Sequence, residues 1–154
     1  MIAAKPLSPT IEEAIDYIYK IDFSMIINKM VQSGWARSTA EALSHEYRNF
    51  LFLQKKYAFQ TQIALPPSEE LDEFWHNHIL DTHKYIHDCK MIFGEYLHHY
   101  PYFGIDDKSD QKDLANAFEN TQKYYFAEFK KEMPKITHRF SLVLVAIKKM
   151  LSVW

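Results

Sequence analysis

The chain has 154 residues, 47% of them hydrophobic and 16% aromatic. That excludes a disordered segment, because this much apolar surface can offset the entropy of ordering a chain. Eighteen basic and 20 acidic residues leave a net charge of −2, with no surplus to drive binding to nucleic acid. The three glycines, Gly34, Gly94 and Gly104, are too few for a turn-rich β-sandwich or a glycine-rich phosphate loop.

Thr10-Ile11-Glu12-Glu13 opens the chain's first helix as a capping box, and Ile11, Ile15, Ile18, Ile26 and Met30 follow at helical spacing as far as Gly34. Ser38-Thr39-Ala40-Glu41 has the form of a second box, ahead of the apolar face Leu43, Tyr47, Phe50 and Leu51. Pro66-Pro67 breaks that helix.

Ser68-Glu69-Glu70-Leu71 starts a third helix with the stripe Leu71, Phe74, Trp75, Ile79, Ile86 and Phe93, ending near Gly94. Leu97 to Lys108 reads as a loop. Ser109 or Asp110 caps a fourth helix, whose buried face is Leu114, Ala117, Phe118, Thr121, Tyr125 and Phe129. Pro134 separates it from a last helix containing Phe140, Val143, Leu144, Ile147, Met150 and Leu151. No stretch alternates as a strand does. The expectation is an all-α fold, a single-domain bundle of about five helices over residues 1–154.

The run Phe140–Ile147 is too short to span a membrane, and the amino terminus lacks the apolar core of a signal peptide. The single cysteine, Cys89, can form neither an intrachain disulfide nor a cysteine-rich zinc site. These features suit the cytoplasm, and a secreted effector without a leader would share them.

Six of the eight histidines lie between His76 and His99. Imidazole is the commonest transition-metal ligand and titrates near neutral pH, so the cluster points to metal binding or acid–base chemistry. On a helical wheel His78, Tyr85 and Cys89 fall on or beside the apolar stripe. Asp72 and His76 lie one turn apart at its border, and His83 and His87 face solvent. A buried His78 needs a partner: Thr82 or Tyr85 locally, His98 or His99 from the loop, or a metal ion.

A four-ligand site would draw Asp72 and His76, or His78, from the helix and His98 or His99 from the loop. Such nitrogen and carboxylate donors suit zinc, iron, manganese or copper. Because His76 and His78 diverge, one ion cannot take both from a regular helix, unlike the paired histidines of HExxH. Each residue also has a plainer reading: His78 as a satisfied core histidine, His76 with Asp72 as a surface pair, His98-His99 as a helix cap. Trp75 is then a packing anchor and Cys89 a small core residue.

The pattern Asp72-x-x-Trp75-His76-x-His78-Ile79-Leu80-Asp81-Thr82-x-x-Tyr85-x-x-Asp88-Cys89, followed by Phe93-Gly94 and Leu97-His98-His99-x-Pro101-Tyr102-Phe103-Gly104, resembles the glycine-rich domain-containing protein-like family. Glu46-Tyr47-Arg48-x-Phe50-Leu51-x-Leu53 is similar to that family's lead-in helix, and the likeness runs from about Trp35 to Phe129. It maps the family motif onto Asp72, Trp75, His76, His78, Thr82, Tyr85, Cys89, His98, His99 and Pro101, and leaves out His83 and His87. The chain has no glycine-rich segment, so nothing assigned to such tails carries over.

The leading expectation is a helical metal-binding protein, a metalloenzyme being one form of it, with ligands among His76, His78, His98, His99 and Asp72. Tyr85, Thr82, Trp75 and Cys89 support them, and the partner is a small molecule or an unidentified protein. The alternative is an interaction module without metal, in which the histidines form a buried polar network and Tyr100, Tyr102 and Phe103 meet a partner. A third reading is metal-free acid–base catalysis by His76 and Asp72.

Overall fold

The computed structural model describes residues 8–137. Among them are six α-helices, one π-helical turn and no strand. The helices are α1 (Ile11–Ile18), α2 (Ser24–Gln32), α3 (Arg37–Leu53), α4 (Glu69–Leu80), α5 (Thr82–Phe93) and α6 (Gln111–Phe129). The all-α expectation holds. The helix expected around Phe140–Leu151 lies outside the described residues. No described helix is long and apolar enough to cross a membrane.

α1 starts on the expected capping box: Thr10 Oγ1 accepts from the Glu13 amide, and the Glu13 carboxylate accepts from the Thr10 amide. The expected first helix is, however, two helices. Asp22 accepts the Ser24 amide at 2.8 Å, and Arg48 donates to the Ile21 carbonyl at 2.7 Å, so the break is satisfied from outside the helix. It delivers Phe23 into the core against Tyr47, Phe74 and His78. α3 begins at Arg37 after an extended Ala36 with no side-chain cap, so the Ser38 box does not form. Glu41 instead stands 4.0 Å from Arg37.

α3 passes directly into the π-helical turn Gln54–Ala58. There Gln54 is buried and donates to the Leu65 carbonyl at 2.7 Å, which holds the segment leading to Pro66-Pro67. α6 takes Asp110 as its cap, in a box with Asp113, and Thr121 donates to the Pro66 carbonyl at 2.9 Å.

The expected third helix also divides. Asp81 leaves helical geometry (φ −82°, ψ 71°), and α5 starts at Thr82 in a new direction. α4 buries Leu71, Phe74, Trp75 and His78, whereas α5 buries Tyr85, Asp88, Cys89, Ile92 and Phe93. The stripe through Thr82 and Ile86 expected of one straight helix is therefore replaced: both residues are exposed. α4 packs on α2 and α3, and α5 on α1, around one core.

Candidate metal centre and its cavity

α4 sends its two histidines in opposite directions. His78 enters the core, where its side chain is 1% exposed, and meets two partners there. Nε2 lies 2.8 Å from Asp88 Oδ2, and Nδ1 lies 2.9 Å from Tyr47 Oη. Since an ionised carboxylate can only accept, Nε2 carries the proton and Nδ1 accepts from the tyrosine. Asp88 accepts further from Tyr17 Oη at 2.6 Å and pairs with Lys84 at 3.2 Å.

Burial lowers the His78 pKa, outweighing the opposing pull of Asp88. Burial raises that of Asp88, but the hydrogen bonds from His78 and Tyr17 and the charge of Lys84 outweigh it and leave the carboxyl below its ordinary value. Burial holds Tyr47 and Tyr17 above the ordinary tyrosine range, so both remain donors. His78 uses both ring nitrogens on protein. The partners expected for it, Thr82, Tyr85, His98 and His99, are not the ones it has. Thr82 is exposed, and Tyr85 touches His78 only edge-on.

His76 turns to the other side of α4 and meets Asp72 from one turn earlier and His99 from the loop. His99 Nε2 is 2.9 Å from Asp72 Oδ1 and 3.1 Å from His76 Nε2, and His76 Nε2 is 3.4 Å from Asp72 Oδ2. The three donors thus converge on one point, with side chains 16% (His99), 30% (Asp72) and 44% (His76) exposed. His98, next to His99, faces solvent against Tyr96 and stays out of the group.

The loop is held by a relay that begins on α4. Trp75 Nε1 donates to Tyr85 Oη at 2.9 Å, and Tyr85 Oη donates to the Leu97 carbonyl at 2.6 Å. Leu97 is buried, and the Trp75 ring lies edge-on to His99 with centroids 4.6 Å apart. Further along, Gly104 is buried at φ +90°. A Cβ there would stand 3.0 Å from Leu114, so a side chain would push the loop off α6. Ser109 and Gln111 bind the Gly104 amide and carbonyl. Cys89 lies in the core, where burial pushes its thiol up, the opposite of an activated thiolate.

Asp72 and His99 also form part of the wall of a cavity of about 420 Å³, between the Leu65–Pro67 segment, α4, the loop and α6. The sequence marks Pro66-Pro67 only as a helix breaker and gives no sign of their place in this wall. Nor does it single out Tyr47 and Asp88 as the partners of His78. Asp88 is ten residues along the chain from His78 and beyond the bend at Asp81, and no spacing rule links Tyr47 to either.

Comparison with curated proteins gave no match, and comparison with solved structures gave none either. A protein-family model described as UCP032817-like matches residues 13–153, which take in both histidine clusters and the cavity wall, and the chain belongs to that family.

Proposed function

We propose that this protein binds a divalent transition metal ion through Asp72, His76 and His99, with the open side of the ion toward the cavity. The observation that carries this reading is the convergence of the three ligand atoms. Their separations are 2.9, 3.1 and 3.4 Å. Ligands about 2.0–2.1 Å from a tetrahedral zinc stand about 3.3 Å from one another. Without a cation the group is frustrated. If both Nε2 atoms carry protons, two N–H groups face each other; if one does not, its lone pair faces the Asp72 carboxylate. A cation between them relieves either conflict.

Two imidazoles and one carboxylate suit zinc and non-haem iron(II), with manganese and copper as further occupants. Three protein ligands with a position left open is the pattern of catalytic rather than structural metal sites. The chemistry such an ion supplies is Lewis-acid or redox activation of a small molecule. The resemblance of the Trp75-His76-x-His78 and Leu97-His98-His99-x-Pro101 elements to the glycine-rich domain-containing protein-like family belongs to this reading too; no comparison names that family. The metal-free alternative, a buried polar network acting as scaffold, describes His78 and its partners, so the two readings divide between two clusters.

The test is the metal content of tag-free protein purified without added chelator or metal, followed by reconstitution with Zn(II), Fe(II), Mn(II) and Cu(II). One ion per chain is expected. His76→Ala and His99→Ala should lose it, and His98→Ala should keep it. Failure of all four metals, or full retention by His99→Ala, would overturn the assignment.

A further inference from the structure

We propose that the cavity beside the metal group, in the metal-free protein, binds a small molecule with an apolar, ring-sized body and a cationic end in preference to an anion of the same shape, and that Glu69 sets this preference. The proposal takes from the preceding reading only the face on which chemistry would occur; occupancy of the cavity can be measured without any metal.

At about 420 Å³ the space lies within the usual range for small-molecule sites, roughly 300–1,000 Å³. Its walls are mostly apolar: Pro66 and Pro67 on one side, Trp75, Phe103 and Leu114 on the others. They are also fixed in advance. Gln54 and Thr121 hold the carbonyls of Leu65 and Pro66, the two proline rings stiffen their own stretch of backbone, and Gln111 and Ser109 hold Gly104 beside Phe103. A wall built this way spends little free energy on ordering when a ligand enters.

The charge of the lining points to the ligand. Among the described residues, Glu69 and Asp72 are its carboxylates, and no lysine or arginine lines it. Asp72 is engaged with both histidines. Glu69, exposed in the first turn of α4, makes no hydrogen bond or ion pair with the described residues. Two carboxylates bordering an apolar wall give the space between them a negative potential. The rings of Trp75 and Phe103 line the same space, and a ring face that a ligand meets there attracts a cation and not an anion. With the metal group empty, a phosphate or carboxylate ligand would find no lysine or arginine among the described lining residues to meet it. A protonated amine on an apolar body would find both an apolar wall and a free carboxylate.

The experiment uses three probes of one shape, benzylamine, benzyl alcohol and benzoate, titrated into full-length, metal-free protein. Amide and indole shifts of Trp75 and Leu114 are followed by NMR. Benzylamine should bind more tightly than benzoate by about tenfold or more. Glu69→Gln should narrow that gap several-fold and leave the affinity for benzyl alcohol unchanged. Leu114→Trp, which fills the cavity, should abolish all three. Benzoate binding as tightly as benzylamine, a gap unaltered in Glu69→Gln, or no probe shifting a cavity residue would each overturn the proposal. The metal content of the same preparation before stripping reports separately on the metal reading, so the two can fail independently.

Discussion

His76 and His78 stand two residues apart on one helix, each beside a carboxylate, yet they are put to opposite uses. His78 is 1% exposed, and both its nitrogens and both oxygens of its Asp88 partner are engaged by protein groups. His76 is 44% exposed, and it converges with Asp72 and His99 at the edge of a cavity. Histidine beside aspartate thus yields a scaffold where both ring nitrogens and both carboxylate oxygens have protein partners, and a candidate ligand group where ligand atoms meet at one point. What separates the two is which face of α4 each side chain leaves from and what that face packs against.

Removing one member of each cluster tests the contrast most severely. Asp88→Ala leaves His78, Tyr17 and Lys84 without their acceptor, and breaking a buried pair in this way costs about 3–5 kcal/mol. Asp72→Ala removes a carboxylate from a partly solvated pair and should cost about 1 kcal/mol or less. Urea denaturation of both variants in chelator, where metal linkage does not contribute, reads the difference directly. Equal losses would erase the distinction between scaffold and site.

Acidification should act on the buried cluster in two stages. The folded pKa of His78 lies below that of the unfolded chain, near 6.5, so the unfolded state binds the proton first. The stability associated with neutral His78 is therefore fully present above about pH 6.5 and is lost as pH falls from there through the folded value. Asp88 is also lowered, so its contribution is present above the unfolded value near 3.9 and is lost as pH falls through its folded value. Denaturation midpoints of the metal-free protein across this range should show both losses. His78→Gln should remove the first and shrink the second, because the hydrogen bond from His78 is the leading cause that lowers Asp88. A first stage of the same size in that variant would assign it to other groups.

The fold class was legible because Ile11 to Met30, Leu71 to Phe93 and Leu114 to Phe129 all carry helical spacing. The two helix breaks were not, and the reason is geometric. Ile15 and Ile26 are eleven residues apart, about three helical turns, so a straight helix would put them on one face with or without the interruption at Asp22. The break rests on Arg48 reaching the Ile21 carbonyl, a contact across 27 residues that local pattern does not contain. The bend at Asp81 likewise turned Thr82 and Ile86 outward and brought Asp88 in. At the site, the i, i+4 relation of Asp72 and His76 could be read from the wheel, but the choice between His98 and His99 could not. That choice depends on where Leu97 is pinned.

The pin is Tyr85, and it carries the smallest and most specific effect. Its hydroxyl joins Trp75, which packs against His99, to the Leu97 carbonyl two residues before His99, yet Tyr85 makes no hydrogen bond with any member of the triad. Tyr85→Phe keeps the buried ring and removes both bonds, which should cost about 1–3 kcal/mol of stability. If the relay aims His99, metal affinity should fall as well, by about tenfold or more, as when a group that orients a ligand is lost. Tyr96→Phe, on an exposed ring beside Tyr85, should change neither quantity. Competition with a chromophoric chelator measures the affinity, and urea denaturation the stability. A drop in stability at unchanged affinity would mean that Leu97 burial and the Trp75 contact suffice to place His99. The tyrosine would then belong to the scaffold with His78 rather than to the site with His76.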